Sequence, residues 1–96
     1  MIIIKILELF GCKNIKDFTS ISKLESLKFL NISNTNISDI SFLEQNKKIK
    51  ELSLDFCKNI KDFTSIFKLE RFENLNVRST NIFDISLLEK IKILKN

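Results

Sequence analysis

Histidine, proline and tryptophan are missing from this chain of 96 residues; glycine occurs once, at Gly11, and cysteine twice, at Cys12 and Cys57. Without an imidazole, the serines have no ready base beside them and neither cysteine has the partner that would activate it as a nucleophile. A single glycine excludes a glycine-rich phosphate loop. No linker, proline, low-complexity run or composition break divides the chain, so residues 1–96 are read as one domain. No stretch approaches the length of a membrane span. The opening Met1 to Ile4 is apolar but too short for a signal-peptide core and has no basic start. Neither an enzyme nor a cofactor is expected, and no attachment to a membrane.

What the chain does have is repetition. The ten residues from Cys12 to Ile21, CKNIKDFTSI, return unchanged from Cys57 to Ile66. Between the copies a second flavour recurs, with Leu30, Ile32, Thr35, Ile37, Asp39 and Ile40 matching Leu75, Val77, Thr80, Ile82, Asp84 and Ile85. Stepping Leu7, Leu30, Leu52, Leu75 gives 23, 22 and 23 residues, so the unit is half the apparent period. A fixed period of this size is the mark of a solenoid, in which each unit buries its apolar face only against its neighbours.

Within a unit, Leu7 and Leu9, Leu30 and Ile32, Leu52 and Leu54, and Leu75 and Val77 alternate with polar residues, as in a strand that buries one side. Strands are expected near 5–9, 28–32, 50–54 and 73–77. Ile15, Ile37, Ile60 and Ile82, then Phe18, Ile40, Phe63 and Ile85, close the core from the far side. An aspartate precedes each residue of the second set, Asp17, Asp39, Asp62 and Asp84, and its carboxylate suits the unpaired N–H groups at the start of a helical turn. Four such turns are expected. A final helix over 84–95, carrying Ile85, Leu88, Ile91 and Leu94, would partly cap the last core layer.

The pattern LxxLxxLxIxxTxIxxIxxL from Leu24 to Leu43 resembles the leucine-rich repeat, and the Asp-Ile or Asp-Phe after each strand is similar to the short class found in internalins. The resemblance covers the whole chain. It implies an α/β repeat solenoid, a leucine-rich repeat horseshoe fragment with short parallel strands on its concave face and helical turns on its convex face. The column usually held by asparagine carries Cys12, Thr35, Cys57 and Thr80 here, with cysteine in the 23-residue units and threonine in the 22-residue ones. A hydroxyl or thiol satisfies the backbone of that bend less completely than an amide does.

The two cysteines share that column two units apart, roughly 10 Å between Cα atoms, beyond the ~7 Å a disulfide spans. Both are expected to be free, buried thiols, which fits an intracellular home. The charge of +4 comes mostly from lysine, with acids interspersed and no clustered arginine, so nucleic acid is not expected as a partner. The aspartate column supplies one carboxylate per unit, too few for a metal.

Protein recognition remains. Alternation turns Phe10, Phe29, Asn31, Ser53, Asp55, Phe56, Asn76 and Arg78 away from the core, onto the concave side, where residue identity changes from unit to unit while the core holds. Exposed aromatics and arginine are preferred anchors at protein interfaces. An unidentified protein bound by the concave face is the reading that the resemblance implies. The alternative is a structural spacer or self-associating module of a surface or adhesin-like protein, since neither end of the array carries a clean polar cap and end-to-end self-association follows from open ends.

Overall fold

The computed structural model describes residues 3–82. Four three-residue strands, β1 (Ile6–Glu8), β2 (Phe29–Asn31), β3 (Glu51–Ser53) and β4 (Asn74–Asn76), form one parallel sheet in chain order. Each is a residue shorter at either end than the alternation predicts. Ile6 pairs with Phe29, Glu51 and Asn74 in turn, and Leu7 with Leu30, Leu52 and Leu75. The 23, 22, 23 spacing is therefore the sheet register itself.

Leu30 and Leu52 point inward and are buried, as are Ile32 and Leu54 just beyond the strands; Leu27, Ile37, Ile49 and Ile60 complete a continuous core with them. The far side is closed by three turns of 3-10 helix, Thr19–Lys23, Ser41–Gln45 and Thr64–Lys68, which bury Ile21, Phe42 with Leu43, and Ile66. Phe18, Ile40 and Phe63 lie buried immediately before these turns, as expected. The expected fourth turn and the final helix over 84–95 lie outside the described residues.

The aspartates work one position earlier than an ordinary helix cap. Asp17 Oδ1 accepts from the Thr19 amide at 2.9 Å and from Thr19 Oγ1 at 2.6 Å, and Asp62 repeats this with Thr64 at 2.9 and 2.7 Å. Asp39 accepts from the Ser41 amide at 2.8 Å. A carboxylate that closes a turn onto the residue two ahead competes well with helix and orders the entry to a short 3-10 segment. The Thr19 and Thr64 hydroxyls, and for Asp39 the Ser41 amide, hold all three carboxyls below their ordinary pKa.

In the cysteine-bearing units the carbonyl of Lys13 or Lys58 accepts from the side-chain amide of the next unit, Asn36 Nδ2 at 2.9 Å and Asn81 Nδ2 at 2.6 Å. The intervening step is tied differently: Cys57 Sγ donates back to Ile32 O at 3.0 Å. Thr35 Oγ1 donates to the same carbonyl at 2.9 Å and accepts weakly from the Ile37 amide at 3.4 Å, and Thr80 Oγ1 donates to Val77 O at 2.7 Å. Threonine thus serves the bend of its own unit, and cysteine the joint to the unit before it.

One expectation needs correction. Both cysteines are free, but only Cys57 is buried, because Cys12 has no preceding repeat against it among the described residues. Asn46 stands in the column of Leu24 and Leu69 and is fully buried. Its Nδ2 donates to Ile21 O and Leu24 O of the previous unit at 2.9 and 3.2 Å, while its Oδ1 has no partner. This inter-repeat tie carried no signal in the periodicity, which treats the position simply as a break in an apolar column.

Candidate interaction surface

Alternation in a strand of three leaves two side chains per unit on the sheet's outer face. Ile6, Phe29, Glu51 and Asn74 form one row and Glu8, Asn31, Ser53 and Asn76 the other, since these residues are paired across the sheet. A shallow groove of about 150 Å³ runs along them, walled by Glu8, Phe29, Asn31, Glu51, Ser53, Asn74 and Asn76. Its surface mixes amide, hydroxyl and carboxylate groups with an almost equal apolar share, to which the half-buried Phe29 ring contributes. Asn31 Oδ1 accepts from the Ser33 amide at 2.9 Å, and the Ser33 and Ser53 hydroxyls meet at 2.6 Å, so part of this polarity is pre-ordered across the units.

The eight residues singled out from sequence do not all share that groove. Phe29, Asn31, Ser53 and Asn76 do. Phe10, Asp55, Phe56 and Arg78 lie beyond the strand ends, where the chain turns off the sheet. Strict alternation cannot be carried past the last paired residue, because the backbone there no longer has extended geometry. Phe10 and Phe56 are exposed, at 61% and 47%. Asp55 is buried at 5%, its Oδ1 accepting from the Arg78 amide at 2.7 Å and its Oδ2 from Arg78 Nη2 and Nε at 2.8 and 3.2 Å. This carboxylate locks the third unit to the fourth and holds an otherwise exposed guanidinium, raising its pKa further above the usual arginine value.

A feature of the same edge escaped the sequence reading. Gly11, Asn34, Phe56 and Ser79 form one column, and all four have positive φ, at 74°, 55°, 63° and 56°. Three of their amides extend the ladder past the strands, Gly11 to Ser33 O, Asn34 to Asp55 O and Phe56 to Arg78 O, at 3.0, 2.7 and 2.7 Å. The left-handed turn is therefore demanded by the repeat. Glycine meets it without cost and asparagine with little, whereas phenylalanine is a poor fit. The sole glycine of the chain sharing its column with Asn34 was the available signal.

A hollow of about 670 Å³ opens between the 13–19 and 36–39 loops of the first two units, away from the sheet. The Asp17 and Asp39 carboxylates on its wall are spent on their own turns. Among the described residues no group of three or more acidic or cysteine side chains is placed to hold a metal ion.

A single parallel sheet built one strand per unit, with an inward aliphatic ladder and an outward variable face, defines a repeat solenoid. Residues 25–68 match the family model for leucine rich repeats in two copies. An internalin of known structure from Listeria monocytogenes superposes with a TM-score of 0.75 at 26% identity, over 84% of this chain and 24% of its own. The chain thus spans about a quarter of the length of that relative. No curated protein gives a match. The chain has the leucine-rich repeat fold, and the strands on either side of the matched residues keep the same register.

Proposed function

We propose that this chain is a protein-recognition module and that its concave sheet face takes the partner. The observation that carries the reading is the groove over β1 to β4, whose walls change from Glu8 to Asn31, Ser53 and Asn76 while the buried Leu30 and Leu52 beneath them stay constant. A rigid aliphatic ladder fixes the spacing of these groups, and their variation supplies specificity without altering the scaffold. The groove walls carry amide, hydroxyl and carboxylate groups suited to hydrogen bonding with a partner.

The test is capture of protein from the source cell with identification by mass spectrometry, followed by affinity measurement on the captured partner. Phe29→Ala with Asn76→Ala removes two walls of the groove, and a loss of at least about 2 kcal/mol is expected if these are anchors. Lys16→Ala with Lys61→Ala, away from the sheet, is the control. Equal affinity from the two double variants would rule out the concave face.

A further inference from the structure

Phe56 is an exposed aromatic in a backbone conformation that suits it badly. Its three counterparts are Gly11, Asn34 and Ser79, so the fold asks only for positive φ at this column, and a large Cβ-bearing ring adds strain that the fold does not require. Its ring is not recovered by the core either, for it is 47% exposed and stands outside the buried cluster. It borders a notch of about 280 Å³ on the edge where the strands end, walled besides by Lys13, Asn34, Asn36, Lys58 and Asn59. No acidic side chain lines this notch. Lys13 Nζ is aimed across it by a hydrogen bond to the neutral Asn34 Oδ1 at 2.9 Å, and neither Lys13 nor Lys58 has a salt-bridge partner among the described residues.

We propose that this notch is a second docking site, distinct from the concave groove, which takes an acidic peptide segment carrying one apolar side chain. The apolar side chain packs on the Phe56 ring while the segment's carboxylates pair with Lys13 and Lys58, and the Asn34, Asn36 and Asn59 amides offer donors and acceptors to its backbone. Charge complementarity selects the occupant: Lys13 and Lys58 line the notch with Phe56, and among the described residues neither has an acidic partner. The proposal rests on the reading of this chain as a protein-recognition module but not on the concave face being used.

Selection of a random dodecapeptide phage library against the full chain provides the test. Enriched sequences should be acid-rich with an embedded Leu, Ile, Phe or Trp. A synthetic peptide of the enriched sequence should lose about tenfold or more in affinity for Phe56→Asn and for Lys13→Glu with Lys58→Glu, and should bind more weakly as salt rises. Phe56→Asn should at the same time melt at a higher temperature than the parent chain, because asparagine accepts the left-handed turn; a residue kept for packing would show the reverse. Peptides without acidic bias, no enrichment, or affinity undiminished in Phe56→Asn would each overturn the proposal. Peptides lost only by Phe29→Ala with Asn76→Ala would sink the notch and leave the concave reading standing, and peptides indifferent to every variant would sink both. An oligothymidylate that binds the parent chain more tightly than the acidic peptide would make nucleic acid the occupant instead, and would equally overturn it.

Discussion

Two stretches of this molecule have the same ten residues and different surroundings. In both CKNIKDFTSI copies the aspartate closes onto the threonine two ahead, the next phenylalanine enters a 3-10 turn at φ near −100°, and the turn covers five residues. Local geometry is therefore the same, as identical sequence should make it. Burial is not. Cys12 is exposed and Ile15 half-buried in the first copy, whereas Cys57 and Ile60 in the second are at 0%. Ser20 is exposed, while Ser65 is buried and donates to Glu44 of the preceding unit at 3.1 Å. The difference is the repeat that comes before: the second copy has one, and nothing among the described residues covers the first. Side-chain hydrogen bonds make the turns, and neighbours make the core.

The sharpest way to break this comparison is to delete the same atoms from both copies. Ile60→Ala should cost about 2–4 kcal/mol in chemical denaturation, since a sealed site cannot collapse around the cavity, and Ile15→Ala about 1 kcal/mol or less. Equal costs would mean that the first unit is sealed in solution. A smaller contrast is expected in the threonine column. Thr35 is buried between two units and Thr80 is half-buried, so Thr35→Val should destabilise by about 1–2 kcal/mol and Thr80→Val by less. Thr35→Asn, with donor and acceptor both available, should be neutral or stabilising.

The smallest effect is on acid stability, and here the two copies should agree. Asp17, Asp39 and Asp62 titrate below their ordinary value in the folded chain through their turn hydrogen bonds, as does Glu44 through Lys68 and Ser65. A lowered folded pKa favours the folded state above the unfolded carboxylate pKa, and that contribution disappears as pH falls through the folded values. Melting temperature should thus decline on acidification below the ordinary carboxylate range. Asp17→Asn and Asp62→Asn should each flatten the decline by a similar amount in a pH series of thermal melts. A clear difference between them would show that the turns, too, depend on neighbours.

What could be read from sequence follows the same division. The register, the strand centres and the inward positions Leu30, Ile32, Leu52 and Leu54 were legible because periodicity reports which side chains repeat inward. The concave positions Phe29, Asn31, Ser53 and Asn76 were legible for the same reason. The strand ends were not. Phe10, Asp55, Phe56 and Arg78 follow the last paired residue, where the left-handed column at Gly11, Asn34, Phe56 and Ser79 turns the chain and alternation stops describing direction. Hidden as well were the ties made by Asn36, Asn46 and Asn81, because an amide that reaches a carbonyl in another unit leaves no periodic trace. The burial of Cys12 was misjudged because the identity of the two copies says nothing about what precedes them.

Thiol accessibility tests most directly whether the preceding repeat, rather than the residue's own sequence, decides its environment. Native chain mixed with an excess of an aromatic disulfide reagent, with mass spectrometric location of the label, should release one equivalent rapidly from Cys12 and the second, from Cys57, only at the rate of unfolding; denatured chain without reductant should release both at once. Equal native rates at the two cysteines, or protection of Cys12 to the extent of Cys57, would contradict the account.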